Sequence, residues 1–467
     1  MRRNIFISVL IILMGATLLA QVPSRPFIVI QSSEYGAQQA KASAFPWANM
    51  KAKAIVTANS ENYDASDNVR AEGAQAQKII SALALSYILD PDNREDYVDR
   101  FETDGASMMA DLRADKLAVL NTSADDVGYN SVLGGAVFMA YIALDIMYND
   151  VYFLGTARSA IEADCDWLVD NHHPTSWIES TYSLRALKEL YHNGKTAIFE
   201  TNKDSYKNAI LHETTSDGVF CPGPGYTFAR LWADERPQKK LFMDLCEYQG
   251  YHEFYSNQVF IDMHEWVTGY SRSTVKRSYS FSDADPSSFI GWTAATLRVF
   301  RFSENAMKYL IFNQSQAYND DADVEGRLFE YLLTETVDGT PKKPADFTAP
   351  TYGPPDRIFD NGGAFFRTET KITKWKTEAV GGAMWNVNPS EEVAHQHNDV
   401  NAIHITGYGE NILRNSGYDG WKAPDTGGPI WDWIHNTAES SNTVIINDTD
   451  HAGCVESDQF GSFDLNK

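Results

Sequence analysis

Three short stretches of this chain bring together side chains able to move protons or to hold an anionic group. The first is HQHND, residues 395 to 399. His395 and His397 stand two apart, so on a strand they face the same side, with Asp399 in register. Such a face is either solvated or lines a site, and solvated strands more often take Thr, Lys, Glu or Ser. Metal ligation needs three or four such donors. Acid/base work needs one or two. The second stretch is Asn171, His172 and His173, with Pro174 closing a helical pattern. On base rates this is a cap: Asn tolerates the left-handed conformation and His favours the helix C-terminus. The third is SDGVFCPGPGYTFARLW, running from Asp217 and Gly218 to Tyr226. A tyrosine opening a helix is commonly a packing residue, whereas a rigid Gly/Pro loop before it is a means of fixing a hydroxyl at a cleft.

The elements that must position these groups fall into two kinds. Residues 70 to 335 read as successive helices. EGAQAQKIISALALSYILD places Ile79, Ile80, Leu83 and Tyr87 at helical spacing. SVLGGAVFMAYIALDIMYND is apolar on most sides, as an inner helix would be, and its Asp145 and polar ends argue against a membrane span. TARSAIEADCDWLVD, STYSLRALKELYHNG and three further segments follow, separated by Gly, Pro, Asn and Asp. Without intervening strands and without a strict repeat, they predict helical hairpins in a solenoid or a closed toroid. Five prolines within residues 338 to 357 exclude helix and central strand, which places a domain boundary there. Beyond it, AVGGAMWNV, DVNAIHITGYG, ENILRNSGY and SNTVIINDTDH predict short strands. About 110 residues from the linker to Lys467 suffice for one sheet layer and are thin for a full sandwich, so a shortened β-domain is expected.

Composition narrows the function classes. At 467 residues, with 43% hydrophobic and 12% aromatic content, two domains with real cores are expected rather than disorder. Arg2 and Arg3, the apolar run from Ile5 to Leu19 and small Ala20 read as a secretory signal over residues 1 to 20, hence a secreted or periplasmic protein with no other membrane association. Cys165, Cys221, Cys246 and Cys454 are too few and too dispersed for a disulfide framework or a CxxC metal site. They read as one bridge, such as Cys221 to Cys246, or as buried thiols. The net charge of −24 argues against nucleic acid and anionic membrane surfaces. An acidic ligand would have to be met by a locally positive or strongly hydrogen-bonding groove.

Taken in order and spacing, Asn171-His172, Asp217-Gly218 with Tyr226, the proline-rich crossing, HQHND, GENILRNSGY and SSNTVIIND resemble the heparinase II/III-like polysaccharide lyases and their alginate-lyase relatives. The resemblance covers most of the chain after the signal. It implies an α-then-β multidomain fold, with an N-terminal incomplete (α/α) toroid over residues 21 to 337, a linker over 338 to 357 and an antiparallel β-sandwich domain over 358 to 467. It also implies cleavage of a 4-linked uronic-acid polysaccharide by β-elimination. Asn171 and His172 would neutralise the uronate carboxylate. Tyr226 would be the acid and also serve as base, or His395 would be base or second neutraliser, according to the epimer at C5. His173, Trp177, Arg230 and Trp232 are the candidates for holding the anionic polymer, although Trp177, Trp232 and Trp266 suit a core equally well.

No cofactor is required by this chemistry. Relatives often hold a structural zinc through the second His of HxH, here His397, with an Asp where this chain has Asn415. A neutral amide is a poor zinc ligand beside a carboxylate, so any zinc would be structural, not catalytic. Two other classes stand beside the lyase. A toroidal uronide hydrolase would need paired carboxylates, for which Asp166, Asp170, Glu179, Asp262 and Glu265 are available. A non-catalytic glycan-binding protein would use aromatic platforms. The HEW at 264 to 266 is not HExxH, which removes the zinc-protease reading.

Overall fold

A computed structural model describes residues 22–43, 47–65, 69–120, 127–172, 178–223, 240–266, 279, 281, 328–333, 356–360, 362–369, 374–385 and 401–414. The helices are α1 (Tyr35–Lys41), α2 (Trp47–Ser60), α3 (Val69–Leu89), α4 (Arg94–Arg100), α5 (Ala106–Val119), α6 (Val127–Met147), α7 (Gly155–Asp170), α8 (Ile178–Asn193) and α9 (Ala197–His212). The shorter α10 (Lys240–Tyr248), α11 (Glu253–Ser256), α12 (Gln258–Glu265) and α13 (Leu328–Leu333) follow. The helical region therefore precedes the strands, as the sequence patterning predicts.

Two helices form its centre. Ile79, Ile80, Leu83 and Leu85 of α3, and the run from Ala136 to Leu144 of α6, are buried on every side, and the two helices pack on each other. A helix apolar all round has no solvent face to offer, so it takes the inner position. Around them, α2 packs on α3, α5 on α7, and α8 on α9, the last a hairpin joined by a turn at Gly194. Asp145 is the one acidic residue in the buried run of α6, and its carboxylate is fully matched. Fully buried, it accepts hydrogen bonds from Arg25 Nη1 at 3.0 Å and from the backbone N–H of Phe27 and Ile28, each at 2.9 Å. The segment before α1 is thereby pinned to the helical core. Among the described residues, no helix is long and apolar enough to cross a membrane.

The strands β1 (Arg357–Phe359), β2 (Gly363–Arg367), β3 (Val380–Trp385), β4 (Ile403–Gly407) and β5 (Glu410–Leu413) form one antiparallel sheet in chain order, with α14 (Trp375–Glu378) between β2 and β3. Phe365 of β2 pairs with Ala383 of β3, which pairs with His404 of β4. These three side chains lie on one buried face, together with Phe359 and Trp385. Trp385 meets Phe281 in a stacked pair at 5.3 Å and Trp266 at 6.1 Å. The opposite face exposes Ile358, Phe366, Met384 and Ile403. The expected sandwich thus appears as a single five-stranded layer among the described residues. Tyr408 and Gly409, both at positive φ, form the tight turn between β4 and β5, as GYGEN predicts. The predicted strand in SNTVIINDTDH lies outside the described residues.

The thiol alternative is settled for three cysteines. Cys165, Cys221 and Cys246 are buried and outside any disulfide, so the Cys221–Cys246 bridge is not formed. Burial pushes the Cys221 thiol up to about 12, which leaves it chemically inert.

Candidate active site

The Asn171–His172 pair stands where α7 stops. Asn171 adopts φ −105° and ψ 14°, so the expected left-handed cap is absent. The side chain does the capping instead: Asn171 Nδ2 donates to the Trp167 carbonyl at 2.9 Å, alongside the backbone N–H of the same residue at 3.0 Å. The Trp167 carbonyl in the last turn thus accepts from both nitrogens of that residue. An amide nitrogen carries two N–H groups, and this contact uses one.

His172 departs from the simple cap. It is only 4% exposed, whereas a histidine serving the helix dipole sits at the surface. Its Nδ1 lies 2.7 Å from the hydroxyl of Thr181 on α8, itself buried. The ring lines a cavity with Lys116 of α5, Leu133, Gly134 and Val137 of α6, Leu168 of α7 and Leu184 of α8. Four helices thus converge on one imidazole. The Thr181 hydroxyl at Nδ1 fixes the ring's orientation.

The loop leading toward Tyr226 is tightly built. Thr215 is its hub: the hydroxyl donates to Asp217 Oδ1 at 2.5 Å and accepts from the Val219 N–H at 2.9 Å, and the backbone N–H bonds to the Val219 carbonyl. Gly218 takes φ +89°, and a Cβ there would lie 2.5 Å from Asp262 Cβ on α12, so only glycine fits. Gly362, in the β1–β2 turn, presses on Val219 in the same way. Described residues end at Gly223, three before the tyrosine. Tyr226, Arg230, Trp232, His173, Trp177, His395 and His397 lie outside the described residues, so Asn171 and His172 are the predicted site residues whose surroundings are defined.

Three of the carboxylates that a hydrolase would use, Asp166, Asp170 and Asp262, are engaged in ion pairs. Asp166 accepts from the Tyr141 hydroxyl at 2.5 Å, lies 2.8 Å from His192 Nε2, and shares Lys188 with Asp170. Burial alone would raise its pKa, but the bonds from His192 and Tyr141 outweigh this and hold the carboxyl below its ordinary range. A glycosidase acid needs the opposite shift. Asp262 faces Arg357 at 3.7 Å, and Glu179 is buried in α8.

Two features escaped sequence reasoning. Glu72, Asp111 and Asp115 place carboxylate oxygens within 4.8 Å of one another, a donor set that could hold a hard cation. Glu72 is 39 residues from Asp111, so no local motif announces the group. Lys116 had a legible signal. In ASMMADLRADKLAV the buried positions are Met108, Met109, Leu112 and Lys116, so the lysine occupies the apolar stripe at helical spacing.

No family model matches this sequence, and no curated protein matches it. Among solved structures it is similar to a heparinase III gene product (TM-score 0.48, 12% identity, 96% of this chain and 67% of that one) and to a second heparinase III (0.48, 13%, 86% and 63%). It is also similar to the heparan sulfate lyase HepC of Pedobacter heparinus (0.44, 13%, 88% and 67%). The chain therefore spans 63 to 67% of the lengths of these structures.

Proposed function

We propose that the chain is a secreted or periplasmic polysaccharide lyase cleaving a 4-linked uronic-acid polymer by β-elimination. In this reading residues 1–20 are the signal, the helices form an incomplete (α/α) toroid over 21–337, residues 338–357 link, and the sheet is one layer of a β-sandwich domain over 358–467. The substrate is an anionic glycan such as alginate, a glycosaminoglycan or ulvan; heparan sulfate, named for one structurally similar lyase, is among them. No cofactor takes part, and a zinc on His397 is not needed for the chemistry.

The C5 proton of a uronate is weakly acidic because its loss places a second negative charge beside the carboxylate. The enzyme must offset that charge where it develops. The second amide N–H of Asn171 and the ring of His172 are assigned this task, Tyr226 protonates the departing O4, and Tyr226 or His395 removes the C5 proton. His173, Trp177, Arg230 and Trp232 are assigned to the polymer. The observation that supports the reading most is the inward, Thr181-held ring of His172: a histidine serving only the helix end would not be oriented by a second helix.

Asn171→Ala separates a cap from a site. Loss of one hydrogen bond should cost about 1 kcal/mol of stability in urea unfolding, while kcat/KM for release of unsaturated oligosaccharide should fall about 100-fold, the scale of a lost charge-stabilising donor. An intact rate with only the stability loss would leave Asn171 a cap and remove it from the mechanism.

A further inference from the structure

We propose that Gly362, in the β1–β2 turn, is a positioning residue for the loop that leads to Tyr226, so that the sheet helps to set where that hydroxyl stands; this rests on the lyase reading above. Of the two glycines in the turn, Gly363 takes φ +104°, whereas Gly362 does not lie in the left-handed region. Backbone conformation therefore asks for glycine at 363 only. At 362 the demand comes from outside the turn: a Cβ there would lie 2.1 Å from Val219 Cγ2 and 2.7 Å from Val219 Cβ. Val219 is fully buried and, being β-branched, stiff at χ1, so it has little freedom to swing aside.

Three elements close a ring around this contact. The loop from Glu213 to Cys221 folds back on itself: Thr214 bridges Phe220 in antiparallel fashion, and the Cys221 N–H donates to the Glu213 carbonyl at 2.9 Å. Thr215 ties the Val219 backbone from within, which gives the valine a fixed place. On one side Gly218 abuts Asp262 of α12, and the carboxylate of that same aspartate faces Arg357 of β1 at 3.7 Å. On the other side Gly362 abuts Val219. The loop is thus gripped between a helix and the sheet, and helix and sheet are joined to each other. Gly223, the last described residue of the loop, stands three before Tyr226 along the chain, so a displacement at Val219 has only a short run in which to be absorbed. Non-bonded carbons rest about 3.5 to 4 Å apart, so a methyl group at Gly362 would push turn and loop apart by about 1 Å or more. A displacement of that size in a reacting group costs about 100-fold in rate.

Amide hydrogen exchange tests the grip without turnover, and Gly382→Ala supplies the control. A Cβ at Gly382 would meet the Phe366 ring at 2.3 Å, a comparable overlap that stays within the sheet. In Gly362→Ala the Val219 and Cys221 amides should exchange about tenfold faster or more, and in Gly382→Ala they should exchange as in the wild type. On whichever of alginate, heparan sulfate, chondroitin sulfate, hyaluronan and ulvan is cleaved, Gly362→Ala should lose about 100-fold in kcat with KM kept within about threefold. Val219→Ala, which removes the obstructing methyls, should by itself cost about tenfold, and adding it to Gly362→Ala should bring the double variant back near that level. Losses that simply multiply, or exchange quickened equally in Gly382→Ala, would overturn the proposal. Should Gly362→Ala fail to fold, the double variant decides: it should fold and turn over near the Val219→Ala rate, and its failure to fold as well overturns the assignment. Quickened exchange in Gly362→Ala, in a protein that eliminates no polymer, would overturn the lyase reading alone. Unchanged exchange or a wild-type kcat in a folded Gly362→Ala protein would overturn this inference alone.

Discussion

His172 and His404 are both buried, and burial has different consequences for each. His404 sits on the inner face of β4, 1% exposed, edge-on to Tyr279 at 5.1 Å and with Nε2 3.1 Å from the Asn411 side chain. Burial lowers its pKa from 6.5 to about 4; the bond to Asn411 opposes this and Arg414 assists it. The unfolded chain therefore takes up a proton near pH 6.5 and the folded chain only near 4, so in that window the unfolded state binds more protons. Stability from this group is complete above pH 6.5 and falls as pH falls toward 4, by about 3 kcal/mol in all. Urea unfolding across that range should show a shallower slope in His404→Gln than in the wild type; parallel curves would contradict the assignment. At this scale, Asn171 and His172 were legible because a polar pair broke a helical pattern beside a proline. The direction in which His172 points was not, since that depends on Thr181 of the following helix.

At the scale of elements, periodicity carried most of the information. The all-apolar pattern of α6 predicted an inner helix, and the alternation in DVNAIHITGYG predicted β4 and its turn. What local pattern could not reveal is how the segment at residues 22–30 is held. Asp145 looked like a polar interruption in α6, whereas it binds Arg25 and two backbone N–H groups 117 to 120 residues distant. Burial pushes its carboxyl upward in pKa, and the N–H groups of Ile28 and Phe27 together with Arg25 pull it back. Removing the carboxylate would strand a guanidinium otherwise set over the Tyr191 and Tyr148 rings and leave both N–H groups unmatched. Asp145→Ala should therefore cost about 3 to 5 kcal/mol, read as a lowered urea midpoint. A loss under about 1 kcal/mol would mean that the segment is held by its apolar residues Phe27, Ile28, Val29 and Ile30 alone. The β1–β2 hairpin was the least legible element, because β1 begins at Arg357, within the proline-rich run assigned to the linker, whose composition masks a strand start.

For the molecule as a whole, order along the chain carries the functional argument: helices first, then sheet, with polar motifs in both. A net charge of −24 sets a boundary condition, since an anionic polymer must approach against long-range repulsion that salt screens over about 10 Å at 0.1 M. The central claim is that this molecule breaks uronide linkages by elimination rather than by hydrolysis or not at all. Elimination leaves a conjugated double bond, and hydrolysis does not. Ultraviolet absorbance during incubation with alginate, heparan sulfate, chondroitin sulfate, hyaluronan and ulvan should rise on at least one polymer, and Tyr226→Phe should abolish the rise. Reducing ends appearing on any of these polymers with flat absorbance would contradict the account in favour of hydrolysis; no cleavage of any polymer would contradict it in favour of glycan binding.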